Sequence, residues 1–135
     1  MDDSQNNNRP RVLDVGQCVP DHMSLRNLVE SMGASMEKVA LPAEALKILQ
    51  TERYDLVFVN RKIDADYTDG MELVRAMQAD EKLKTIPIML ISNYDDAQRD
   101  AVAAGAIRGF GKNAIATPAA RKLLAPYLST PARSS

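Results

Sequence analysis

The chain has 135 residues, of which 45% are hydrophobic and 26% charged, with a formal net charge of -1. That is one domain's worth of sequence with enough apolar residues for a core; no apolar run approaches the ~20 residues of a membrane span, and the polar, acidic start from Met1 to Asn8 does not read as a signal peptide. The single Cys18 excludes an internal disulfide and a cysteine-based zinc cluster, and aromatic residues at 4% leave little for stacking on nucleic-acid bases.

Residues 1–10 are too polar to order themselves and read as a disordered lead-in to a domain spanning 11–128, with a flexible tail at 129–135. Val12, Leu13 and Val15 make 11–15 the first strand, and a loop from Gly16 to Pro20 follows. Asp21 is positioned to cap a helix whose apolar face carries Leu25, Leu28, Val29 and Met32, and Gly33 can end it in a left-handed conformation. Residues 36–41 predict a second strand, weakened by Glu37 and Lys38; Pro42 suits the start of a helix facing inward with Ala45, Leu46 and Leu49. Leu56 to Val59 is an unbroken apolar run, the signature of a central strand buried on both faces, and it stops at Asn60. After the acidic, turn-prone segment Asp64, Asp66, Asp69 and Gly70, a third helix points Leu73, Val74 and Met77 inward. Residues 87–91 are a fourth buried strand ending at Ser92 and Asn93. Asp95 or Asp96 can cap a fourth helix that stops near Gly105; 107–110 is a weak fifth strand; and Thr117 with Pro118 opens the last helix, lined by Leu124, Tyr127 and Leu128. Five strands alternating with five helices imply right-handed crossovers and a parallel sheet covered on both faces. Sites in such folds form at the carboxyl ends of the strands.

The strand 55–59, the Asp69-Gly70 pair opening a helix, the run Pro87 to Ser92, Ala104-Gly105-Ala106 and Lys112 together resemble a response-regulator receiver domain over roughly 11–128. The resemblance implies a doubly wound sheet of order 2-1-3-4-5. It also implies phosphoryl transfer to an aspartate ending the third strand. An acidic pair after the first strand would hold Mg²⁺, with a Ser/Thr after the fourth strand and a Lys after the fifth. Ser92 and Lys112 match. Asn60 stands at the acceptor position and Gly16 and Gln17 at the acidic pair; Asn113 replaces the usual proline, and Gly109 the common aromatic switch residue, with Phe110 one place later.

An acyl phosphate needs a carboxylate nucleophile, and an amide is a very poor one. Mg²⁺ wants hard oxygen ligands, commonly carboxylates. The substitutions remove all three expected charges, so the expectation is a degenerate receiver without Mg²⁺ or enzymatic activity that signals by protein–protein interaction. Lys112 is then expected to bond the Asn60 side-chain oxygen or a nearby carbonyl. The alternative is a phosphorylatable receiver with an unusual site drawn from Asp14, Asp64 or Asp66. A flavodoxin-like enzyme is disfavoured, since there is no Gly-rich phosphate loop and His22 is the only histidine. Cys18 reads as a small buried hydrophobe and His22 as an exposed residue in a first helical turn. The chain's basic residues concentrate after Ala97. By family analogy, a protein partner would dock on the fourth helix, fifth strand and fifth helix through Arg99, Arg108, Arg121 and Lys122; homodimerisation stays open. No nucleic acid or membrane partner is expected, and the cytoplasm is the expected location. Met1 and the short tail suggest a stand-alone domain.

Overall fold

The computed structural model describes residues 9–128. Five parallel strands, β1 (Arg11–Val15), β2 (Ser35–Val39), β3 (Leu56–Asn60), β4 (Ile88–Ile91) and β5 (Ile107–Phe110), lie in the order β2-β1-β3-β4-β5. Five helices connect and cover them: α1 (Val19–Ser31), α2 (Pro42–Thr51), α3 (Met71–Gln78), α4 (Asp95–Ala103) and α5 (Pro118–Leu128), with a 3₁₀ turn at Lys112–Ala114. The expected doubly wound fold and strand order are what the chain adopts.

Alternation along the strands divides the core in two. Leu13, Val15, Val57, Val59 and Leu90 face α2, α3 and α4, meeting Leu49, Leu73, Val74, Met77 and Ala101. Val12, Leu56, Phe58, Met89, Ile91 and Phe110 face α1 and α5, meeting Leu25, Leu28, Val29, Leu124 and Leu128. Phe58 is fully buried at the sheet's centre, edge-on to Phe110 with ring centroids 5.8 Å apart. Each such side chain withdrawn from water contributes about 2–3 kcal/mol.

The boundaries depart from sequence expectation in instructive ways. β2 starts one residue earlier than predicted and ends at Val39. It is an edge strand, so Glu37 and Lys38 turn outward at no cost to the core. Pro10, assigned to the lead-in, is buried, and its carbonyl accepts the Ser35 N–H at 2.9 Å; the rest of the lead-in up to Asn8, and the tail at 129–135, lie outside the described residues. Neither Asp21 nor Asp95 and Asp96 caps a helix. The N-caps are Cys18 and Tyr94, and the acids sit in the first turns, where negative charge meets the positive end of the helix. Pro20 fixes the earlier start of α1, since a first-turn proline sacrifices no hydrogen bond. Gly33 does follow α1 with φ +88°.

Gln98 is a polar residue built into the core beside β4 and β5. Gln98 of α4 is 2% exposed. Its Nε2 donates to the Leu90 carbonyl at 2.8 Å and the Ser92 carbonyl at 3.1 Å, and its Oε1 accepts the Gly109 N–H at 2.9 Å. The β4–β5 register is irregular here, and a Cβ at Gly109 would run into the Leu90 carbonyl. Gln98 thus satisfies backbone groups that the disturbed ladder leaves unpaired. Gln98→Leu is expected to cost about 2–4 kcal/mol, the penalty of orphaning two or three buried groups, measured as a fall in the urea midpoint with unchanged slope.

Candidate functional site

The loops after β1, β3, β4 and β5 converge at the carboxyl edge of the sheet. The Gly16 carbonyl pins two of them together. It accepts the Asp64 N–H at 2.9 Å and the Asn60 Nδ2 at 3.2 Å. Gly16 itself has φ +81°, and a Cβ there would collide with the end of the buried Ile63 side chain, so glycine is required on both counts. Asn60 therefore acts as a donor, tying the end of β3 to the turn after β1.

Beside it lies a cavity of about 240 Å³ lined by Asn60, Arg61, Lys62, Ile91, Ser92, Asn93, Tyr94 and Lys112. The residues expected to meet, Asn60, Ser92 and Lys112, do share it; Gly16 and Gln17 are not among its lining. The Ser92 hydroxyl accepts the Tyr94 N–H at 3.2 Å, which leaves its own proton to donate. Lys112 does not bond Asn60 as expected. Its ammonium lies 2.6 Å from Asp21 Oδ2, in the first turn of α1. The Cys18 thiol donates to the same oxygen at 3.0 Å, so Cys18 is a half-buried hydrogen-bond donor and not a buried hydrophobe. Partial burial pushes the Asp21 carboxyl up, but the bonds from Cys18 and Lys112 outweigh it and hold it below the usual range.

The three acids considered as substitutes are elsewhere. Asp14 projects from the α1–α5 face of β1 into the core, fully buried, with Oδ2 2.7 Å from Nδ1 of His22. His22 is thus 8% exposed and partnered, contrary to the exposed role predicted for it. Asp14 Oδ1 has no hydrogen-bond partner, and neither does either amide atom of the nearby, 2% exposed Gln17. Burial pushes the Asp14 pKa up to about 6, against the opposing pull of His22. Asp64 and Asp66 are exposed, and Asp66 is occupied in a turn, accepting the Thr68 N–H at 3.1 Å and its hydroxyl at 2.6 Å. Asp69 accepts the Met71 N–H at 2.9 Å, which opens α3, and bonds Arg61 at 3.1 Å.

Arg99, Arg108, Arg121 and Lys122, the residues of the expected basic surface, are all exposed. Arg99 and Arg108 both lie 2.6 Å from Asp95, on the α4–β5 side. Arg121 instead reaches Ser31 at the end of α1, 2.8 Å away.

Two comparisons place the fold. Residues 21–115 match the model of the response regulator receiver domain, and the chain belongs to that family. The matched span begins after Gly16 and Gln17. Among solved structures, the chain is similar to the chemotaxis response regulator CheY4 of Vibrio cholerae (21% identity, TM-score 0.69, covering 89% of this chain and 99% of that one). It is also similar to the receiver domain of the Francisella response regulator 1452 (18%, 0.72, 93% and 99%). A third similarity is to the receiver domain of a signal transduction histidine kinase from Syntrophus aciditrophicus (25%, 0.65, 87% and 91%). No curated protein matches by sequence. Among the described residues, no helix is long and apolar enough to cross a membrane.

The Mg²⁺ used by the family's phosphoryl chemistry does not fit this donor set. A hard divalent cation calls for anionic oxygens. Among the described residues lining the cavity there are three cationic side chains, two amides and two hydroxyls, with no carboxylate.

The Asp14–His22 pair makes stability depend on pH with a definite sign. The native carboxyl, with its pKa near 6, takes up a proton that the unfolded one, near 3.8, has not yet bound. Its contribution is therefore fully present below pH ~4 and lost as pH rises through ~6, up to about 3 kcal/mol in all. In urea titrations from pH 7.5 to 4.5, the native chain should gain stability relative to Asp14→Asn. His22→Leu, which strands the carboxylate, should cost about 3 kcal/mol at pH 8 and less at pH 5.

Proposed function

We propose that this receiver signals by binding a protein partner and does not accept a phosphoryl group. The observation that carries the reading is the state of Asn60. An amide occupies the acceptor position and is engaged in donating to the Gly16 carbonyl. An amide at that position offers no nucleophile of useful strength. Supporting it, the two acidic-pair positions contribute nothing anionic: Gly16 has no side chain, and Gln17 is turned inward. Replacing Gly16 by an acid would meet both a left-handed backbone and Ile63. The substitute acids are poorly placed, Asp14 being buried against His22 and Asp66 held by Thr68. Partner docking on α4, β5 and α5 follows the family analogy, with Arg99, Arg108, Arg121 and Lys122 as exposed cations there.

The test is incubation with acetyl phosphate and Mg²⁺ followed by intact-protein mass measurement. No mass gain is expected, either for the native chain or for Asn60→Asp alone, because the second variant restores a nucleophile without ligands for the metal. Phosphoryl uptake by the native chain would sink the reading in favour of an unusual acceptor. Partner capture should be the same with and without acetyl phosphate, and should be lost on combining Arg99→Glu with Arg108→Glu. Gly16→Asp should lower stability by about 1–2 kcal/mol in urea titration, the cost of a non-glycine residue held in the left-handed region.

A further inference from the structure

Another cavity lies at the opposite, amino edge of the sheet. It runs between the end of α2 and the loop that leads into β4, and its volume is about 480 Å³. That falls within the ~300–1,000 Å³ of pockets that take small organic ligands. Its two walls are tied together. Gln50 Nε2, on α2, donates to Asp80 Oδ2 at 2.9 Å, and the Lys82 ammonium donates to the Gln50 carbonyl. Asp80 Oδ1 accepts the N–H groups of Lys82 and Leu83, at 2.8 and 3.1 Å, which fixes the loop. The cavity is thus preformed, and little ordering is left to oppose binding. Leu49, Ile86 and Pro87 give it an apolar lining, while Glu52, Arg53, Asp55 and Lys82 bring charge of both signs.

The charges already engaged decide which sign is on offer. Glu52 takes the Arg11 guanidinium at 3.2 Å, and Asp55 accepts the Arg11 N–H at 2.9 Å. Both carboxylates of the lining therefore have donors. The cations are less occupied. Lys82 meets a neutral carbonyl, and the exposed Arg53 has no hydrogen-bond or ion-pair partner among the described residues. Its five N–H donors, in a planar fork, remain available. We propose that this cavity binds a small organic carboxylate with an apolar or aromatic body, its charge held by Arg53 and Lys82. A guanidinium fork matches a carboxylate bidentately, and the Lys82 ammonium adds a point charge beside it. An exposed ion pair alone is weak, so the body packed on Leu49, Ile86 and Pro87 is needed as well. An inorganic anion has no such body, and a neutral aromatic leaves the Arg53 fork unused. The site lies at the end of the strands away from Asn60, so its occupancy is independent of the chemistry at that position.

The full-length chain is titrated with 2-naphthoate at constant ionic strength, and amide chemical shifts are followed. Saturable shifts are expected at Arg53, Asp55, Lys82 and Ile86, with Asn60, Ser92 and Lys112 unmoved. 2-Naphthamide, which keeps the rings and lacks the charge, should bind about tenfold more weakly, and acetate, which keeps the charge and lacks the rings, weaker still. Arg53→Gln should weaken naphthoate binding about fivefold or more and Arg53→Lys about threefold, for loss of the charged contact and of its fork respectively. Arg53 is exposed, so both variants are expected to keep the fold, which unchanged shifts of the core residues would verify. Absence of saturation with the native chain overturns the proposal. So does unchanged affinity in Arg53→Gln, binding of the amide as tight as that of the carboxylate, or shifts centred on Asn60 and Lys112.

Discussion

A parallel sheet sealed on both faces leaves the chain few places for polar chemistry. Helices cover the flat sides of β1 to β5, and the two apolar clusters they form contain nearly all of the buried side chains. What remains is the carboxyl edge, where the strands hand over to loops whose backbone groups need partners. The Gly16 carbonyl, shared by the Asp64 N–H and the Asn60 amide, is the junction there. It ties the loop after β1 to the end of β3 and to the loop that follows it.

Charge at that edge is balanced within the chain. A cation on the loop after β5 needs an anionic partner, and a receiver with the family's full set of acids would supply one from the strands. Here the partner comes from the first turn of α1, where Asp21 also benefits from the helix's positive end. The consequence is a shift of negative charge away from the cavity lining to its neighbour. Asp21 thus gives Lys112 an anionic partner 2.6 Å away within the chain.

The sheet order, the five strands and the role of Leu56 to Val59 were legible from apolar runs and from Gly and Pro punctuation, because those signals are local. Asn60, Ser92 and Lys112 were legible as a set through the family pattern, and they do share one cavity. The Lys112–Asp21 pair was not, since nothing in a single sequence links two residues so far apart, and Asp21 has an equally plausible local role as a cap. His22 was misread for a similar reason. A histidine in a first turn is ordinarily exposed, and only the strand parity of Asp14, which turns its carboxyl toward α1, brings the two together. The signal available was Asp14 itself, an acid in the middle of an otherwise apolar strand; such a residue needs a buried partner, and His22 is the only histidine that could supply one. Gln98 escaped notice because a glutamine on a polar helix looks like surface.

The buried polar contacts have a common effect on how the domain can move. Gln98 joins α4 to the end of β4 and to Gly109 of β5. Gly109 has no side chain to move, and the neighbouring Phe110 is 5% exposed and packed on Phe58. A rearrangement of α4 against β5 would break three buried hydrogen bonds at once, and interiors of this density shift between discrete packings and do not deform continuously. The same bonds through which Gln98 serves the irregular β4–β5 ladder also hold α4 against β4 and β5.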